Sequence, residues 1–358
     1  MTDKPDIMSM SKSELQDYLT KYYDLPKFRA DQIFEWLSRG VHFEDMTNLS
    51  KSLREKLSSE LFCSIPKIEQ KLVSKVDGTV KYLFKLYDGN FIESVVMHYS
   101  HGNTICISSE VGCNMGCCFC ASTIGGMTRK LLPGEMLGQV AVANRDGADI
   151  SNIVMMGIGE PLDNYDNVIK FLKLVTSDDG LNIGSRHISL STCGLADKIR
   201  LLAKEDFGIT LSISLHACDD ETRSSIMPVN NKWNIRALME ACRDYFLTTG
   251  RRISFEYTLI SGKNDSLSQA NRLADLFYKY FTENGRLLPI HINLIPVNEI
   301  KEREFTTSSK DAVKKFADTL QKRKINATVR RKLGPDINAS CGQLRKNYEK
   351  NQSPALEI

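Results

Sequence analysis

The chain has 358 residues, 42% of them hydrophobic and 25% charged, without a low-complexity tract, enough for one large α/β domain and a smaller appendage. The start, MTDKPDIMSM, lacks the apolar core of a signal peptide and no apolar run reaches bilayer-spanning length, so a cytoplasmic protein without membrane contact is expected, and ten cysteines that serve as thiols, ligands or redox catalysts rather than structural disulfides. Net charge is +3, yet residues 321–350 alone carry +7 and leave −4 for the rest; such a stretch suits a phosphate-rich partner or a solvated helix and strand end.

In chain order, residues 1–65 read as a helical unit. Leu15, Tyr18, Leu19 and Tyr22, then Ile33, Phe34, Trp36 and Leu37, follow helical spacing, and Leu49, Leu53 and Leu57 share one face behind a Ser50 cap. Residues 66–100 change to strand-like alternation in VKYLFKLYDG and NFIESVVMHY, joined at Asp88-Gly89-Asn90 as a β-hairpin extension. From 101 to 345 the strands TICISS, NIVMMG, HISLST, ITLSISLH, ISFEYTLI and IHINLIP alternate with helical stretches, NATVRR trails, and 346–358 form a tail. Strand–helix alternation predicts parallel strands with right-handed crossovers. Six units fall short of a closed eight-fold barrel, so the expected α/β fold is an open, partial (β/α)6 barrel with its chemistry at the carboxyl ends of the strands.

Just past the first of these strands stands GCNMGCCFCAS, residues 112–122. Cys113-x3-Cys117-x2-Cys120 offers three local thiols and no nearby histidine, whereas a structural zinc or an electron-transfer iron–sulfur cluster takes four ligands. Three thiols on a four-iron cluster leave one iron open to a ligand. Cys118, wedged beside Cys117, is expected to be a bystander, and Cys63, Cys193, Cys218 and Cys242 to be structural.

Cx3Cx2C in this position resembles the radical S-adenosylmethionine (SAM) superfamily, in which the open iron chelates the methionyl part of SAM. The turn Gly157-Ile158-Gly159-Glu160-Pro161 resembles the superfamily's glycine–glutamate turn for the SAM amino group, with Gly159 and Glu160 as contacts. Over nearly the whole chain, ISSEVGCNMGCCFCAS, MMGIGEPLDN, LSTCG, SISLHA, NLIPVN and DINASCGQLR resemble one family, the RNA adenine methyltransferases of the RlmN/Cfr type. By motif position the resemblance implies a [4Fe-4S] cluster on Cys113, Cys117 and Cys120, and SAM contacts at Ser191, Ser214, Leu215, His216 and Asn298.

The same resemblance implies the chemistry. Adenine C2 and C8 lie between ring nitrogens, are electron-poor, and do not attack a SAM methyl group directly, so a carbon radical is needed. One SAM would methylate Cys341; a second would give the radical that abstracts a hydrogen from that S-methyl, and the methylene would add to adenine. Glu93 would take the ring proton, and Cys106 would release product by forming a disulfide. Two SAM per turnover, an electron donor such as flavodoxin or ferredoxin, and a monomer complete the expectation. Pro161, Val111 and Ile295-Pro296 resemble the C2 branch, which modifies adenine 2503 of 23S rRNA and often adenine 37 of tRNAs, more than the C8 branch tied to antibiotic resistance; the helical segment resembles that family's accessory RNA-binding domain. Glu110 replaces a usual glutamine and Glu299 a frequent proline. Outside the enzymes, the thiol loop also suits a zinc-stabilised RNA-binding protein.

Overall fold

The computed structural model describes residues 4–300, 302–339, 344 and 348. Its first helices are α1 (Lys12–Tyr23), α2 (Lys27–Ser38) and α3 (Lys51–Glu60); α1 and α3 start at serine caps, and α2 follows Pro26. Ser11 and Glu14 form a capping box, and the Ser50 hydroxyl accepts from the Leu53 N–H. Leu15, Leu19, Ile33, Leu37 and Leu57 are buried, so the helical spacing found its core. This unit is tied to the rest through Asp6, which accepts from Ser64 N at 3.0 Å and Ser64 Oγ at 2.7 Å. Ser9 Oγ meanwhile accepts from Gly134 N at 2.9 Å.

Three strands follow: β1 (Lys67–Val73), β2 (Val80–Lys85) and β3 (Phe91–Tyr99), each antiparallel to the next. The expected hairpin is therefore a three-stranded ribbon, and β3 pairs antiparallel with β4 (Gly102–Cys106), joining the ribbon to the main sheet. After β4 come the short antiparallel pair β5 (Glu110–Gly112) and β6 (Met127–Lys130), then α4 (Pro133–Arg145), β7 (Ile150–Met155), α5 (Tyr165–Thr176), β8 (Ile188–Thr192), α6 (Ala196–Leu202), β9 (Thr210–Ser214), α7 (Asp220–Ile226), α8 (Ile235–Thr249), β10 (Ile253–Leu259) and α9 (Leu267–Phe281). A small ribbon of β11 (Thr282–Glu283) and β12 (Arg286–Leu287) leads to β13 (Ile290–Pro296), α10 (Lys310–Lys322) and β14 (Ala327–Val329).

The strand order β1-β2-β3-β4-β7-β8-β9-β10-β13-β14 makes one ten-stranded sheet, parallel from β4 onward and open at both ends. Six strand–helix units and a seventh strand match the expected partial barrel. The two faces of the sheet differ in chemistry. Tyr82, Phe84, Ile92, Val96, Ile105, Ile153 and Leu190 belong to the large core. The opposite face carries Lys81, Glu93, Cys106, Ser191, Ser212, Ser214 and Glu256, because side chains alternate along each strand and directly paired residues share a face. Among the described residues no helix is long and apolar enough to cross a membrane.

Candidate active site

The cysteine loop leaves β5 and returns through β6. Gly112 has φ +82°, and a Cβ there would sit 1.9 Å from Gly126 O, so only glycine lets the loop close on itself. Cys113 N–H then donates to Gly126 O at 3.1 Å, Asn114 Oδ1 accepts from Met127 N, and Thr123 Oγ1 donates to the carbonyls of Cys117 and Cys120. Cys113 and Cys117 are buried and Cys120 half-buried. Burial is the main cause that pushes the Cys113 thiol up to about 12 and Cys117 well above its ordinary value; charge on Cys120 raises both further, and Cys113 and Cys117 lie within electrostatic reach. Metal binding at such thiols must expel their protons. Cys118 points elsewhere: its Sγ contacts the carbonyls of Gly116 and Ser225, and its N–H donates to Ile226 O at 2.9 Å.

Among the described residues no three Cys, His, Asp or Glu side chains are grouped to hold a single metal ion. A four-iron cube is wider than one ion, and a single glycine-shaped loop of three thiols suits it.

The turn after β7 lies directly against residues 107–110. A Cβ on Gly157 would be 2.5 Å from Ile107 O, and one on Gly159 (φ +108°) would be 2.6 Å from Glu110 Cβ. The glycines are thus required by the packing of two protein segments. Glu160 is buried, and its oxygens accept from Leu162 N at 3.0 Å and Cys193 N at 2.7 Å, tying this turn to the one after β8. Glu110 Oε2 accepts from Glu160 N at 3.0 Å, while Oε1 is buried without a hydrogen-bond partner. Burial above all, with the Asp163 and Glu160 carboxylates adding to it, raises Glu110 to about 8. At neutral pH it carries its proton, so it is uncharged like the glutamine it replaces in the family pattern.

The other expected SAM contacts gather at the carboxyl ends of neighbouring strands. Ser191 pairs with Ser212 and Ser214 with Glu256 across the β8–β9–β10 ladder. Leu215 and His216 follow β9 immediately, and half-buried Asn298 stands two residues past β13. His216 adopts φ +55°, and its Nδ1 accepts from Thr258 N at 2.9 Å, which puts the ring proton on Nε2. Burial lowers its pKa to about 3, so the ring is neutral. It meets Phe119 of the cysteine loop edge-on, with centroids 5.0 Å apart. Asn264 holds this corner: its amide donates to His216 O at 2.8 Å and Thr258 O at 2.7 Å, and its Oδ1 accepts from Ile260 N. No motif pointed to Asn264.

Glu93 and Cys106 occupy the same polar face. Cys106 ends β4 opposite Val95, and Glu93 stands two positions along β3. Glu93 is 2% exposed, although the alternation of its strand suggests a solvent-facing carboxylate. Lys81 Nζ lies 2.8 Å from Glu93 Oε2 and donates to Asn338 O at 2.9 Å. Val95, Met97 and Cys106 form a small apolar cluster against Val154, Met156, Leu333 and Ala339. Asp77 accepts from Gly334 N at 2.8 Å, and Asp336 accepts from Ser74 Oγ at 2.6 Å and Lys75 N at 2.8 Å. The β1–β2 turn thus holds residues 333–339 over the Cys106 face. Cys341 lies outside the described residues.

The chain matches the family model "Radical SAM superfamily" over residues 107–274 and "Ribosomal RNA large subunit methyltransferase N-terminal domain" over residues 5–63. It is 51% identical over 349 residues to the "Probable dual-specificity RNA methyltransferase RlmN" of Clostridium novyi (strain NT), covering 97% of this chain and 99% of that protein. The protein of the same name from Clostridium tetani (strain Massachusetts / E88) is 50% identical over 97% of this chain and 98% of its own. Among solved structures, a radical SAM methyltransferase from Sphaerobacter thermophilus superposes with TM-score 0.87 at 40% identity, over 94% of this chain and 98% of that one.

Proposed function

We propose that this chain, which belongs to the RlmN family of radical SAM methyltransferases, methylates C2 of adenine in RNA: adenine 2503 of 23S rRNA and adenine 37 of some tRNAs. Membership in the radical SAM superfamily carries with it a [4Fe-4S] cluster and SAM. Cys113, Cys117 and Cys120 would hold the cluster, and the cluster with SAM supplies a carbon radical able to abstract hydrogen. Glu160 gives the SAM ammonium an anionic acceptor already oriented by two backbone N–H groups. His216, neutral with Nε2–H free of its Thr258 bond, offers a donor beside Phe119.

The thiols do the transfer in this reading. Cys341 accepts the methyl group from one SAM and, after hydrogen abstraction driven by a second, presents its methylene to the adenine carbon. The adduct radical would lose one electron to the enzyme's redox centre and its ring proton to Glu93. The Cys106 thiolate would then attack the Cys341 sulfur, breaking the carbon–sulfur bond, so that the freed methylene carbon takes a proton to become the methyl group and a Cys106–Cys341 disulfide is left on the protein. The observation that carries this reading is the shared face of Glu93 and Cys106 under segment 333–339, whose last described residue stands two positions before Cys341. A flavodoxin- or ferredoxin-type reductant, a cytoplasmic location and a monomeric enzyme belong to the same proposal.

The test is the thiol pair. Cys341→Ala is expected to abolish methylation, and Cys106→Ala to trap a covalent protein–RNA adduct visible as a retarded band on denaturing gels. Methylation surviving in the first variant would overturn the carrier role. Normal turnover without adduct in the second would overturn the resolving role.

A further inference from the structure

Arg223 on α7 is fully buried, and among the described residues it is the largest side chain so enclosed. Its acceptors are all neutral. Nε donates to Leu215 O at 3.1 Å, Nη1 to Asn230 Oδ1 at 3.0 Å and Trp233 O at 3.5 Å, and Nη2 to Cys193 O at 2.7 Å and Ser214 O at 3.2 Å. Among the described residues no carboxylate forms an ion pair with it. Asp220 acts on it electrostatically but not in contact, and is linked to it through Asn230, whose amide donates to Asp220 Oδ1 at 3.0 Å. A buried cation with no anion in contact is costly unless something else nearby supplies negative charge.

The surroundings of α7 indicate where that charge comes from. The cysteine loop is docked on this helix through the bond from Cys118 N to Ile226 O, and Gly116 stands against Pro228. A Cβ on Gly194 would lie 3.3 Å from Arg223 Nη2, so the turn after β8 presses on the guanidinium. The charge of Arg223 reaches the thiols of both Cys117 and Cys193. With three thiolates, a four-iron cluster is net negative, and reduction adds one more negative charge.

We propose that Arg223 is the built-in counter-charge of the cluster site: a positioning residue that clamps the turns after β8 and β9 and favours the reduced cluster electrostatically. This rests on the reading of Cys113, Cys117 and Cys120 as cluster ligands. Lysine keeps the charge but lacks the planar fork that binds carbonyls on two turns at once.

Redox titration of the anaerobically reconstituted full chain, followed by electron paramagnetic resonance, tests it together with iron content. Arg223→Gln is expected to shift the cluster midpoint to lower potential, and Arg223→Lys to restore it to near the wild-type value. A second variant covers a Gln chain that fails to fold. The exchange Asp220→Asn with Asn230→Asp keeps net charge and brings the carboxylate into contact with the guanidinium, so it too should lower the midpoint. An unchanged midpoint in Arg223→Gln, or in the exchange variant, would overturn the counter-charge role. A wild-type chain that takes up no iron would overturn the ligand reading and the proposal with it; normal wild-type uptake separates the two failures.

Discussion

Lys81 and Glu93 form an ion pair of 2.8 Å in which both side chains are essentially excluded from solvent, and the same ammonium donates to Asn338 O. A residue of β2, a carboxylate of β3 and the segment leading to Cys341 are thus linked through one nitrogen. Lys81→Met leaves the carboxylate buried without this partner, and loss of one member of a buried pair costs about 3–5 kcal/mol. Denaturant unfolding of the iron-free chain should show a loss of that size, with a smaller loss in the double variant with Glu93→Gln. Equal stability of Lys81→Met and wild type would contradict the pairing.

Glu110 makes stability depend on pH. Its native pKa of about 8 lies above the ordinary 4.5, so between those values the native chain holds a proton that the unfolded chain has lost. The stabilising contribution is complete below about 4.5 and declines as pH rises to about 8, by at most about 1.4 kcal/mol per pH unit. Glu110→Gln does not titrate. Its stability relative to wild type should therefore rise from pH 4.5 to 8 and level off above; a difference that stays flat across the window would refute the neutral carboxyl.

Gly159 should tolerate no side chain. At φ +108° an alanine Cβ would meet Glu110 Cβ at 2.6 Å and Glu110 N at 2.8 Å, and left-handed strain of this kind costs about 1–3 kcal/mol before the clash is counted. Gly159→Ala is expected to lower the melting temperature and weaken SAM binding measured by calorimetry, because the turn carrying Glu160 must move. Unaltered SAM affinity would separate the turn from the binding site.

Cys118 and Cys117 are neighbours with opposite expected outcomes. Cys118→Ala removes only contacts to the Gly116 and Ser225 carbonyls and should leave iron per chain unchanged after reconstitution, whereas Cys117→Ala should lose most of it. Equal iron loss in both would return Cys118 to the ligand set.

Much of this was legible from residues alone, for physical reasons. Long helices and parallel strands announce themselves by period, and glycines beside cysteines mark a loop that closes tightly. α6 and α7 escaped because seven residues make barely two turns, too few to show a helical repeat. Lys81, Arg223 and Asn264 escaped because several of their partners are backbone carbonyls on distant segments, and a carbonyl has no signature in sequence. Lys81 on β2 and Glu93 on β3 sit in strands that read as half-exposed; residues 333–339, more than two hundred positions away, lie over that face. Conversely, the glycines after β7 were found by motif, yet what they accommodate is Ile107 and Glu110 of this chain.

The most direct measurement is mass spectrometry of nucleosides from 23S rRNA and tRNA incubated with the reconstituted chain, SAM and a reductant. 2-Methyladenosine is expected in both RNAs and is expected to be absent with Cys341→Ala. Unmodified adenosine, or 8-methyladenosine in its place, would contradict C2 methylation.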